Sequence, residues 1–170
     1  MRKSTAAGLV AALTLSLLPA ALPAPAEAAP QKVIYVQKLD MPSDWPVKSA
    51  LRWLDVYTGK STFRLVKRCP AKRDCVTVQT GKLSGRNVGW ASPIRAKTGA
   101  THRTSIVVID PAKAKRLRYS QADRKWLLVH EFGHVHALPH QRKRISVMHP
   151  DLPRPPMVLT PAERRHLARR

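Results

Sequence analysis

The chain has 170 residues, with 31 Lys and Arg against 10 Asp and Glu, and a formal charge of +21. That length carries one domain with a real core. The charge draws acidic partners, but the basic residues are spread along the chain with no zinc-finger or recognition-helix pattern, which argues against specific nucleic-acid binding.

The first element is a leader. Arg2 and Lys3 precede an apolar run from Ala6 to Leu22, broken by Pro19 and ended by Pro23. Small residues of A-x-A type follow at Ala24–Ala26 and Ala26–Ala28. This is the layout of a secretory signal peptide over residues 1–28, cut near residues 26–29. The remainder, 29–170, reads as a single exported domain, secreted and extracellular. It would carry a formal charge of +20, and no further apolar run is long enough to span a bilayer. Such a surface is read as solvated and basic, open to an anionic surface or polymer.

Residues 31–39 pack β-branched and aromatic side chains into a strand pattern, ended at Asp40-Met41-Pro42. Pro46 suits a first helical turn, and Val47, Leu51, Leu54 and Tyr57 recur at helical spacing until Gly59. That helix should pack across a sheet, with Trp53 in the core. Ser61–Lys67 alternates as a second strand, and Cys75–Gln79 is a third. Between them lie Cys69 and Cys75, the only cysteines, which in an exported chain are expected to form a disulfide across a short turn. Thr80–Gly89 reads as loop, and Trp90–Pro93 cannot be assigned to an edge strand from pattern alone. Arg103–Asp110 is the clearest strand, continuously apolar from Ile106 to Ile109. The basic run from Lys113 to Arg116 reads as a solvated connection. Ser120, with Asp123 three residues on, is a helix N-cap signal.

The helix that follows carries the chemistry. His130 and His134 are four residues apart and share a face, with Glu131 beside the first. Two such imidazoles can hold one zinc, and the Glu can reach a water there. His140 lies past Pro139 and can return to the metal only if the chain turns sharply after Ala137. Met148 follows within Ser146–Pro150. Asp151–Pro156 has three prolines and reads as an extended crossing. Thr160, Pro161 and Glu163 then open a terminal helix that runs to about Arg169.

The stretch from His130 to Met148 resembles the metzincin zinc-peptidase signature, HExxHxxGxxH followed by a methionine turn. Within that group it is similar to the matrixins, as are the spacing from His140 to Met148 and the helix start at Thr160. Ala137 stands where the signature has Gly, and a left-handed Ala costs about 1 kcal/mol. The resemblance implies an α+β fold: a twisted mixed sheet with an N-terminal helix packed on it, a site helix, a Met-turn and a C-terminal helix. It implies one catalytic Zn2+ on His130, His134 and His140, Glu131 as general base, and Met148 as an apolar floor beneath the imidazoles. Acidic, Gly-rich loops are missing, so structural calcium is not expected. The expected activity is zinc-dependent hydrolysis of protein or peptide substrates by a monomer. The rival is a non-catalytic basic domain on an anionic polymer, with zinc only structural. Another ligand scheme would use Glu163, the only Glu after the signature, in place of His140. His136 and His149 fall outside the pattern and read as solvated groups or as support behind the ligands.

Overall fold

Parallel neighbours need a crossover, and the chain supplies one at once. In the computed structural model, which describes residues 32–58, 61–96, 102–151 and 157–168, strand β1 (Lys32–Lys38) leads through helix α1 (Val47–Thr58) to a parallel strand β2 (Ser61–Val66). The proposed leader over residues 1–28 lies outside the described residues. β3 (Cys75–Thr80) adds in parallel to the other side of β1, and β6 (Arg103–Ile109) in parallel to β3. Two short strands, β4 (Gly89–Ala91) and β5 (Arg95–Ala96), run antiparallel to β6. The sheet order is β2-β1-β3-β6-β4, so β4 is an edge. Three residues are too few to show a period of two, which is why this edge is not visible in the sequence.

Alternation decides which face of the sheet is covered. Ile34, Val36, Phe63, Val76, Val78, Val107 and Ile109 are buried on one face. Ile106, which opens the apolar run that suggested a well-buried strand, is 42% exposed on the other. An apolar run alone does not tell a doubly covered strand from a singly covered one, and here only one side of β6 meets the core. The buried face of α1 is formed by Val47, Ala50, Leu51 and Leu54, at the three-to-four spacing that makes a stripe. Of these, the Val and Leu side chains each contribute about 1.5–3 kcal/mol when fully buried. The long helix α3 (Gln121–Val135) joins the same core through Leu128 and Phe132, whose ring meets Phe63 edge-on at 5.5 Å. Trp53 packs against this core between Tyr57 and Trp126.

Two devices fix the turns. Cys69 and Cys75 are bonded, with Cα atoms 5.9 Å apart, and close the turn between β2 and β3. Next to that bridge, Asp74 accepts bonds from the backbone N, Nε and Nη2 of Arg103 and so anchors the start of β6.

The connection at 111–116 differs from the sequence reading. It is a short helix, α2 (Pro111–Arg116), capped by Asp110. Lys113 within it is buried, not solvated. The last helix is α4 (Pro161–Ala168), with Thr160 and Glu163 bonded reciprocally at its start. Among the described residues, no helix is long and apolar enough to cross a membrane.

Candidate metal centre

A full capping box starts α3: the Ser120 hydroxyl accepts from Asp123 N, and the Asp123 carboxylate accepts from Ser120 N. Ten residues on, His130 and His134 lie on one face, their Nε2 atoms 3.1 Å apart. The helix ends at Val135, and Ala137 takes φ 58°, the left-handed turn that the position requires. Leu138 N then bonds back to Gly133 O at 3.0 Å, and the chain reverses. This brings His140 Nε2 to 3.1 Å from His134 Nε2, and all three donor atoms lie within 4.8 Å of one another.

The protons on two of these rings can be deduced. His130 Nδ1 is 2.8 Å from Val147 O, and His134 Nδ1 is 2.9 Å from Leu138 O. A carbonyl only accepts, so each Nδ1 carries the hydrogen and each neutral ring turns a bare lone pair inward at Nε2. Two lone pairs facing each other at 3.1 Å repel, and a shared cation removes that repulsion. Zinc–nitrogen bonds are about 2.0–2.1 Å, which fits donors at this separation. Neutrality is also favoured by burial, which pushes His130 down to about 4 against the opposing bond to Val147. His134 is lowered for the same reason, and desolvation again leads. The residues therefore fit one zinc ion.

Glu131 is 4% exposed, and burial pushes its carboxyl up to about 8. Its Oε2 has no partner among the described residues. Its other oxygen lies against β4 so closely that a Cβ on Gly89 would sit 2.3 Å from it. Glu131 and the three histidines line one cleft of about 840 Å³, whose walls include Val88, Trp90, Tyr119, Leu127 and Leu138.

Met148, next in the chain to the Val147 whose carbonyl holds His130, is fully buried. Its Sδ is so near α3 that a Cβ on Gly133 would stand 2.2 Å from it. The turn that presents Met148 is held from below. Ser146 Oγ accepts from Met148 N at 2.9 Å and donates to Glu163 Oε1. Glu163 is 1% exposed and also accepts from Thr160 N at 2.5 Å. It is therefore committed to Ser146 and the α4 cap, and the histidine cluster forms without it. His136 is buried, with its ring edge-on to Phe63 at 5.5 Å, which corrects the solvated alternative. His149 is half-buried and pairs through Nδ1 with the backbone of Asp151.

The structure brings the three sequence-predicted histidines together in the cleft that Glu131 also lines, bonds Cys69 to Cys75 and packs Met148 against Gly133. Sequence reasoning missed Gly89, Gly133 and the role of Ser146. Gly133 sits inside the signature and Ser146 just before Met148, but neither shows a spacing of its own that marks a site.

No protein-family model and no curated protein matches this sequence. Among solved structures, the chain is similar to the archaemetzincin of Methanopyrus kandleri, with a TM-score of 0.51 and 12% identity. The match covers 85% of this chain and 97% of that one. At this identity the likeness is one of fold alone: a mixed sheet with flanking helices.

Proposed function

We propose that this protein is a secreted zinc-dependent endopeptidase of metzincin type, with its site organised as in matrixins. One observation carries the reading. Three imidazole donors converge beside a buried carboxyl with an unpartnered oxygen, all in one cleft. A purely structural zinc site has no use for that carboxyl. His130, His134 and His140 would hold the ion. When bound, zinc supplies a Lewis acid that polarises a carbonyl and makes nearby water more acidic.

The chain's own groups do the rest. Glu131 takes a proton from the attacking water and returns it to the leaving amine. A carboxyl raised to about 8 by burial holds a proton readily near neutral pH, and a dication beside it favours the charged form that accepts one. The edge of β4, unpaired among the described residues, offers backbone groups to an extended peptide. The Val147 and Leu138 carbonyls hold two imidazoles in the ligating tautomer. The matrixin-type assignment rests on the residues from His130 to Pro150 and on the Thr160 helix start. Export rests on the leader over residues 1–28, and the disulfide suits an oxidising compartment.

The test is digestion of a peptide library by wild type, Glu131→Ala and chelator-treated protein, with metal analysis of each and of His140→Ala. Cleavage lost on chelation, and lost in Glu131→Ala that still binds zinc, is the expected result. Equal cleavage by Glu131→Ala rejects the mechanism. Unchanged zinc affinity in His140→Ala removes that residue from the ligand set. Zinc bound with no cleavage by any form moves the assignment to a basic binding domain with structural zinc.

A further inference from the structure

One rim of the cleft is the loop between β3 and β4. Asn87 and Val88 line the cleft, and Gly89, next in the chain, abuts the carboxyl of Glu131. The side chains at 84–87 are exposed, so they do not hold the loop in place. Its carbonyls do. Those of Leu83, Gly85 and Asn87 converge on the Lys113 ammonium, at 2.5, 3.2 and 2.9 Å. An ammonium has three N–H donors, and here each meets one carbonyl. Lys113 is 8% exposed, and its nearest carboxylate, Asp110, is 4.0 Å away. A buried charge is costly unless fully bonded, so this placement is demanding.

Asp110 completes the clamp from the same helix start. Its Oδ1 accepts from Lys113 N, its Oδ2 from Leu83 N, and its own N–H donates to Val88 O. Converging carbonyls with a carboxylate nearby are the donor set that a hard cation takes. In this chain a side chain of α2 fills that place.

We propose that Lys113 is a positioning residue of the cleft: an internal cation that fixes the rim 83–88 and so holds Gly89 against Glu131. The kinetic part of this proposal rests on the peptidase reading, and the structural part stands without it. The comparison is wild type against Lys113→Met, which keeps the length and removes the charge, and Lys113→Gln, which keeps two donors. The zinc-loaded proteins are compared by deuterium uptake, zinc affinity and peptide hydrolysis. In Lys113→Met, uptake should rise in residues 81–91 and stay unchanged in β1 and α3. Zinc affinity should hold, while kcat/KM falls on the order of a hundredfold, as expected for a misplaced reacting group. Lys113→Gln should fall between the two, and it carries the comparison if the Met variant does not fold. Unchanged uptake in 81–91, or a rise spread evenly over the whole chain, overturns the proposal. So does wild-type kcat/KM with a loosened rim. If no form cleaves any peptide, the peptidase reading fails, and the uptake pattern alone decides whether Lys113 holds the rim.

Discussion

Replacing Gly89 with Ala separates the position of Glu131 from the fold around it. The added Cβ would lie 2.3 Å from Glu131 Oε1, 2.8 Å from Cδ and 2.9 Å from Cγ. Non-bonded carbons settle near 3.5–4.0 Å, so the carboxyl must move by about 1 Å. The backbone is no obstacle, since Gly85 is the one glycine with positive φ among the described residues. Overpacking costs about 1–3 kcal/mol. Against that, Ala recovers roughly 0.5–1 kcal/mol of the conformational freedom that Gly loses on folding. The difference is small beside a typical stability of about 5–15 kcal/mol, so the variant should fold. Its three histidines are untouched, so zinc should bind as before. A reacting group displaced by about 1 Å costs on the order of a hundredfold in rate, or about 2.7 kcal/mol of barrier. The assay is kcat/KM on a peptide cleaved by wild type, with zinc content and Tm measured on the same samples. Wild-type turnover in a folded, zinc-loaded Gly89→Ala protein would refute the claim that the rate depends on where Glu131 sits.

Gly133→Ala should lower Tm, although Ala is the better helix former by about 1 kcal/mol. Its Cβ would meet the fully buried Met148 Sδ at 2.2 Å, and an unchanged or higher Tm would contradict that packing. Ala137→Gly should do the opposite and raise Tm slightly, since φ 58° strains an L side chain by about 1 kcal/mol; a lower Tm would mean that the turn gains nothing from Gly. Glu163→Ala leaves Ser146 Oγ without its acceptor and should cost about 1–3 kcal/mol in thermal unfolding. It should also weaken zinc binding through Val147 and His130, and unchanged zinc affinity would uncouple α4 from the centre. Asp110 is held below its ordinary value of 3.8, chiefly by the backbone N–H of Lys113 and then that of Leu83. A depressed carboxylate stabilises above its unfolded pKa and loses that contribution as pH falls through the folded one. The Tm gap between wild type and Asp110→Asn should therefore be constant near neutrality and close below the ordinary value, and a gap that widens in acid would reverse the sign.

The parts legible in the sequence are those that repeat or cap. The stripe of α1, the Ser120 and Thr160 caps and the i, i+4 histidines all depend on short-range spacing, and all appear where the spacing puts them. His140 was legible only through the resemblance, because its return depends on one residue, Ala137, taking a left-handed turn. What stayed hidden is tertiary. Whether a glycine is needed depends on what a Cβ would touch, and Gly89 and Gly133 face atoms 42 and 15 residues away in sequence. Lys113 sits in a basic run that looks solvated until three carbonyls from another loop are brought to it. Ile106 looks like core until the sheet proves to be covered on one face.

The distribution of acids explains how so basic a chain can keep its site in order. There are ten Asp and Glu in all, and Glu27 lies in the proposed leader. The two remaining Glu are both buried: Glu131 in the cleft and Glu163 under the methionine turn. Asp110 is buried at the rim, Asp74 anchors β6, Asp123 caps α3, and Asp55 accepts from Phe63 N at the start of β2. Asp44 pairs with Arg124 across to α3. Most of the scarce carboxylates are thus committed to positioning backbone or site groups, and few remain to neutralise the surface. The positive field itself comes from 31 Lys and Arg set against those ten acids. Such a field would act on an approaching acidic chain over about a Debye length, while the carboxyls of Glu131 and Glu163 are shielded from that surface by burial.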